Sequence, residues 1–275
     1  MRTWHILPLV ALALLLAAGG AAPAAEPLAL YQGRAVVTGM REENRSAGFA
    51  SALLDVLAKV SGDARLIGDP RAAELANEAA PLVASFAYRD RMEGIPFHDE
   101  QGSRDRPHDL TVTFDRAKID AALRSLGREP WIAPRPTIVL FLRVTNSARG
   151  FTLAADGEFG IDLREALDNA SSLIGLPVRL PYIWQVLTTG LYPVALADAP
   201  AAVLDAATKA AGADRALFGG LTWSDEALGW IGEWRLDFEG KTYRWEIRGV
   251  SFDAAFRNAL RGAAQVLSGN GAPER

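Results

Sequence analysis

The chain has 275 residues, a formal net charge of −4 and no cysteine, with 49% hydrophobic and 23% charged residues. That composition excludes a disordered chain and a disulfide scaffold, and the length lies between one large domain and two ordinary ones at roughly 100–200 residues each. The sequence pI is about 5.5 and no basic stripe interleaved with aromatics occurs, so no nucleic-acid partner is expected.

The first 24 residues read as a signal peptide. Arg2 supplies a positive start, Ile6 to Ala18 an apolar run of 13 residues, and Ala22-Pro23-Ala24 the small residues of a cleavage site. Such a run fits the roughly 7–15 residues of a secretory core and falls short of the about 20 needed to span a bilayer. Cleavage near Ala24 would place the protein in the periplasm with no integral membrane span. Without cysteine there is no lipidated N-terminus.

A first module is expected over 26–130. Tyr31 to Val37 reads as a strand. Phe49, Leu53, Val56, Leu57 and Val60 recur at helical spacing and predict a helix over 45–60, stopped by Ser61-Gly62 with Gly62 left-handed. A weaker helix from Pro70 to Ala80 and a strand from Leu82 to Tyr88 follow. Arg89 to Pro107 reads as a polar loop and Leu110 to Phe114 as a strand. Asp115 can cap a helix that runs to Leu126 and ends at Gly127.

The proline-rich segment 131–136 cannot continue a helix and reads as a linker. A second module is expected over 137–268, starting with a buried strand from Thr137 to Val144. Asp162 and Glu165 form a capping-box-like pair for a helix from Leu163 to Ile174. Val178 to Tyr182 predicts a strand, and Pro200 starts a helix reaching Ala211. In the strand from Arg215 to Trp223, Gly219-Gly220 signals a bulge or a close backbone approach. Residues 230–248 form a hairpin in which Trp230, Gly232, Trp234, Leu236 and Phe238 share one face. A two-residue turn at Glu239-Gly240 sets Trp234 opposite Trp245, Leu236 opposite Tyr243 and Arg235 opposite Arg244, the like charges offset by diagonal pairing of Arg235 with Glu246. Ser251 caps a last helix over 252–267, and 269–275 is a tail. The fold class expected is α/β (α+β), with two small modules, each a mixed or antiparallel sheet with helices packed on it.

The search for chemistry yields no catalytic residue, no cofactor site and no metal site. Once the signal is removed, His98 and His108 are the histidines left, and no Gly-x-Ser-x-Gly elbow accompanies them. His98, Asp99, Glu100, Asp105, His108 and Asp109 include zinc-type donors, but their spacing matches no ligand pattern and reads as a solvated loop. Gly219-Gly220 lacks the phosphate-loop pattern. Asp237 and Glu239 lie on the outward face of the hairpin. Trp230 and Trp234 are in phase with Leu236 and read as core. Trp223 leads into the loop 224–229, which makes Trp223, Asp225, Leu228 and Trp230 the interface candidates.

Four stretches carry a resemblance. They are Leu53-Leu54-Asp55-Val56-Leu57-Ala58-Lys59-Val60-Ser61-Gly62; Phe114-Asp115 with Leu126-Gly127-Arg128-Glu129-Pro130-Trp131; Arg135-Pro136 before an apolar strand; and Gly212 to Gly219 before a Trp-rich hairpin. Together they resemble the bacterial domain of unknown function 2066 family, departing at Gly219-Gly220, where a polar or basic residue would follow the first glycine. That resemblance implies an exported protein and brings no catalytic residues. The second module also resembles small α/β domains of envelope assembly proteins, such as the amino-terminal domain of the Tol-Pal system's B protein and the curli secretion lipoprotein. Their shared order is strand, helix, strand, helix, three strands, helix. The function expected is a non-enzymatic adaptor or assembly factor that binds another cell-envelope protein through a sheet edge or the Trp223–Trp230 loop. The alternatives are a binding module for a small glycan or lipid fragment held between the modules, and a hydrolase using His98 or His108.

Overall fold

The computed structural model describes residues 30–95, 105–147, 149–189 and 201–273. The expected signal peptide, His98, Asp99, Glu100 and Pro200 lie outside them. The described residues form a mixed α/β structure with two sheets and seven helices.

The first sheet is antiparallel, with β1 (Gln32–Thr38), β3 (Pro107–Phe114) and β2 (Val83–Asp90) in the order β1-β3-β2. Leu110, Val112 and Phe114 alternate inward along β3 and meet the apolar stripe of α1 (Glu42–Ser61), which carries Phe49, Leu53, Val56, Leu57 and Val60. This helix begins three residues before the periodicity suggests, with Glu42 and Glu43 in its first turn, where acids favour the helix dipole. Helices α2 (Pro70–Asn77) and α3 (Arg116–Ser125) follow; the Asp115 carboxylate caps α3 by accepting from the Lys118 N–H at 2.9 Å. The pairing of β3 starts at Pro107, so His108 and Asp109 stand on a strand and not in the expected loop.

The second sheet runs β5-β4-β7-β8-β9, formed from β4 (Ile138–Thr145), β5 (Gly150–Leu153), β7 (Arg215–Ser224), β8 (Gly229–Phe238) and β9 (Lys241–Val250). A two-residue β6 (Val178–Arg179) pairs parallel with the start of β4. β4 and β7 are parallel, whereas β7, β8 and β9 form an antiparallel meander. One face is covered by α4 (Ile161–Ile174) and α7 (Phe252–Leu267), which bury Leu167, Phe256 and Leu260 against Leu140, Leu142 and Trp234. On the other face α6 (Ala201–Ala210) covers Val139, Phe141 and Phe218 with Leu204 and Ala207. α5 (Ile183–Thr189) precedes it.

The hairpin register is as the alternation requires. Trp234 faces Trp245, Leu236 faces Tyr243, and Arg235 faces Arg244. Glu239 and Gly240 both have positive φ, 50° and 74°, the geometry that matches a two-residue turn to strand twist. The diagonal Arg235–Glu246 pairing is corrected. Each charge bonds along its own strand, Arg235 to Asp237 at 2.6 Å and Arg248 to Glu246 at 3.0 Å, because side chains two apart on a strand share a face. Gly219 marks a close approach, since Trp234 fills the space beside it. The capping box at Asp162 and Glu165 is also corrected. Gly160, at φ 84°, stands at the cap and no side chain bonds there, so the helix starts at Ile161. The strand expected to reach Tyr182 stops at Arg179, and Pro181, which has no N–H, gives its carbonyl to Ala155.

The end of α1 joins the layers of the two sheets. A helix leaves its last carbonyls unpaired. Here the Lys59 carbonyl accepts from Arg135 at 2.5 Å, Val60 from the Trp131 N–H at 2.8 Å, and Ser61 from Asn270 at 2.9 Å. Arg135 also donates to the Ile174 carbonyl, so one guanidinium caps α1 and α4 while stacking 4.3 Å from the centre of the Trp131 ring. Burial lowers the Arg135 pKa to about 10. Arg261 on α7 bonds Asp55 on α1 at 2.9 Å. The tail expected to begin at 269 is thus fastened through Asn270, and segment 131–136 is tied down at both Trp131 and Arg135.

Candidate functional site

The end of the second sheet where β4 and β7 finish carries the most exposed apolar groups of the candidate set. Thr145 pairs with Thr222, so the β4–β5 turn and the β7–β8 turn lie at the same end. Residues 224–229 close the β7–β8 turn, and the Ser224 hydroxyl accepts from the Ala227 N–H at 3.1 Å. A side chain at Gly229 would collide with the backbone of Gly249 and Val250 at 2.7–2.8 Å, so only glycine fits there. The bulge between Trp230 and Gly232 in the β8–β9 pairing lies beside this turn and twists it away from the flat sheet.

The turn brings all four interface candidates together. Trp223 pairs with Trp230 across the strands, their rings edge to face at 5.6 Å and 79°. The Trp223 indole N–H donates to Asp225 at 2.8 Å and fixes the ring, leaving Trp223 38% exposed. Trp230 packs half-buried against the core, while Trp234 and Trp245 lie fully within it. Leu228 is 84% exposed and holds φ at 51°. A residue other than Gly, Asn or Asp rarely adopts that backbone, which costs about 1–3 kcal/mol. Asp225 and Glu226 give the tip a negative collar. Nearby on the outer face of β9, the Arg248 pKa is raised, first by its bond to Glu246 and then by the fields of Glu233 and Glu226.

Other exposed apolar groups were not legible in the sequence. Phe159 and Ile161, 41% and 63% exposed, follow β5 at the start of α4, at the same end as the tip; Arg149 stacks over Phe159 at 4.3 Å. Trp184 and Leu187 on α5 are 58% and 60% exposed. A spacing that suits a buried helix face also suits an exposed one, so only packing separates them.

The histidine and acid cluster of the sequence is dispersed where it is described. The His108 ring nitrogen Nδ1 lies 2.8 Å from the Arg106 carbonyl and the ring stands edge-on to Tyr88. Asp109 pairs with Arg89 at 2.6 Å and Arg91 at 3.5 Å. Among the described residues no group of three or more His, Cys, Asp or Glu could hold a metal ion, and no helix is long and apolar enough to cross a membrane. Where α1 meets α4 and α7, Asp55, Lys59, Leu173 and Arg261 line a cavity of about 10 Å³, room for one water and too small for a glycan.

Residues 24–132 match a domain of unknown function, DUF8605. This overturns the resemblance to the domain 2066 family, for DUF8605 is a different domain. The stretches behind that resemblance serve as joints in the structure: Val60, Ser61, Trp131 and Arg135 form the junction around the end of α1. The DUF8605 match covers the first sheet and stops within the proline-rich segment, so the tip lies outside it. No curated protein matches the chain.

Proposed function

We propose that the chain is an exported, non-enzymatic adaptor that binds another cell-envelope protein through the β7–β8 tip. The observation that carries this is Leu228, held almost fully exposed in a left-handed backbone that glycine or asparagine would occupy at lower energy. Leucine gives that backbone no conformational advantage and buries little of its own surface, and strain of this kind concentrates where a surface is used. Trp223, fixed by Asp225, offers a rigid aromatic anchor beside it, the residue type that dominates interface energetics. The acidic collar of Asp225 and Glu226 favours a partner segment with an apolar residue flanked by Arg or Lys. The N-terminal sequence supports export to the periplasm.

The test is quantitative recovery of partners by the tagged protein from crosslinked periplasm, comparing wild type with Leu228→Gly, Trp223→Ala and a distant surface control, Ser85→Ala. A protein recovered by wild type and the control but lost from both tip variants supports the reading. Recovery unchanged in both tip variants removes the tip from it.

A further inference from the structure

The face of the second sheet that α6 leaves open holds a groove of about 350 Å³, in the range of small-ligand sites. Its walls and floor come from four strands in register. Arg143 on β4 is opposite Gly220 on β7, which is opposite Glu233 on β8. In the adjacent row Arg235 on β8 is opposite Arg244 on β9. Gly220 is the floor. Its backbone needs no positive φ, and a side chain there would meet nothing nearer than a Glu233 carboxylate oxygen at 3.8 Å. Neither conformation nor packing calls for glycine at that position, in contrast to Gly219 beside it. A glycine within a strand weakens it by about 0.5–1 kcal/mol, and its usual meaning is close approach of a ligand or another backbone.

Among the described residues, Arg143 and Arg244 form no close ion pair with a carboxylate, and Glu233 forms none with a cation, although it lies in the field of Arg248. Arg235 is fixed by Asp237 at 2.6 Å and lies over the Phe218 ring, so one guanidinium is preorganised. Guanidinium forks match carboxylate and phosphate groups, while a lone carboxylate accepts from hydroxyl or ammonium groups.

We infer that this groove binds a small hydroxylated organic acid, its acidic group held by Arg244 beside Arg235, its hydroxyls donating to Glu233 and reaching toward Arg143 across the bare floor of Gly220. A polyanion would meet Glu233, Asp237 and Glu246 on the same face, and a neutral sugar would leave Arg143 and Arg244 without a counter-charge. The site is independent of the β7–β8 tip, so either reading can fail alone.

The experiment is titration of ¹⁵N-labelled protein with sodium D-glucuronate, a hydroxylated acid, and with D-glucose as its neutral counterpart. Saturable shifts at the amides of Gly220, Thr222, Glu233 and Arg244 are expected with glucuronate and not with glucose. Affinity should fall at least tenfold in Gly220→Val, which fills the floor. Arg244→Gln, on an exposed edge strand where folding is not at stake, should show the same loss. The inference is overturned if glucuronate leaves these amides unmoved, if glucose moves them equally, or if Arg244→Gln binds as wild type does.

Discussion

Trp234 occupies the space that a side chain at Gly219 would need: a Cβ there would sit 2.4 Å from the indole ring. Gly219 and Trp234 are direct partners across β7 and β8, and the tryptophan is buried beneath α7. Gly219→Ala therefore overpacks a filled core and should destabilise by about 1–3 kcal/mol. Gly220→Ala, one residue on and on the opposite face, should be neutral or stabilising by up to about 1 kcal/mol. Urea unfolding of the two variants checks this. Equal effects would contradict the assignment of the two glycines to opposite faces.

Asp63 is the buried anchor below the end of α1. Its carboxylate is fully buried, accepts from Arg65 at 2.8 Å and Arg128 at 2.5 Å, and also takes the Arg65 backbone N–H. Burial pushes its pKa up, but the bonds from Arg65 and Arg128 outweigh that and hold it below the usual aspartate value. A depressed pKa contributes stability that is complete above the unfolded value near 3.9 and is lost as pH falls through the folded one. Asp63→Asn should cost about 3 kcal/mol at neutral pH, at the low end for a broken buried pair because both arginines keep some solvent. The gap between wild type and variant should narrow below about pH 4. A gap independent of pH in acid unfolding curves would contradict the charge assignment.

The legible parts of this fold are those where one short-range rule decides. Leu110, Val112 and Phe114 alternate, and Trp234, Leu236, Trp245 and Tyr243 leave a single register that keeps charge off the core. Gly62 and Ser251 mark helix ends through their own chemistry. What stayed hidden depends on distant partners. β5 is four residues long and exists because Asn146 and Arg149 close a tight turn onto β4. Arg135 shows its role only when the ends of α1 and α4 meet around it. The tip was legible as a tryptophan beside a polar loop, but the left-handed backbone of Leu228 and the close packing of Gly229 against β9 are not visible in the residue types. The groove is hidden because Arg143, Gly220 and Glu233 come from three strands, and Gly219-Gly220 reads in the sequence as a single feature.

Relieving the backbone at the tip should trade binding for stability. Leu228→Gly removes the side-chain clash of the left-handed conformation and exposes less apolar surface. It should raise stability by about 1 kcal/mol, a shift of roughly 2–4 °C in Tm for a chain of this size. Calorimetry beside the recovery assay checks both halves. A Leu228→Gly protein that is less stable than wild type would show that the leucine supports the turn and would remove the strain argument.

Lys59 gives the junction a pH dependence of unusual sign. It is 5% exposed, and its Nζ donates to the Gln32 carbonyl at 2.6 Å. Burial lowers its pKa; Asp55 opposes this while Arg135 and Arg34 add to it, and the result is about 8. In the unfolded chain the ammonium titrates near 10.4, so between about pH 8 and 10.4 the unfolded chain holds a proton that the folded chain has released. Stability from this group therefore rises with pH across that window, and below it the buried charge is a penalty on the order of 3 kcal/mol. Lys59→Met keeps the length and removes the charge, losing about 1 kcal/mol with the bond to Gln32. At pH 7 the variant should be the more stable protein, and by pH 10 the wild type should have caught up or passed it. Urea unfolding at pH 7, 8.5 and 10 measures the difference directly. A constant difference would mean that Lys59 keeps an ordinary affinity for its proton and that solvent reaches it at the junction.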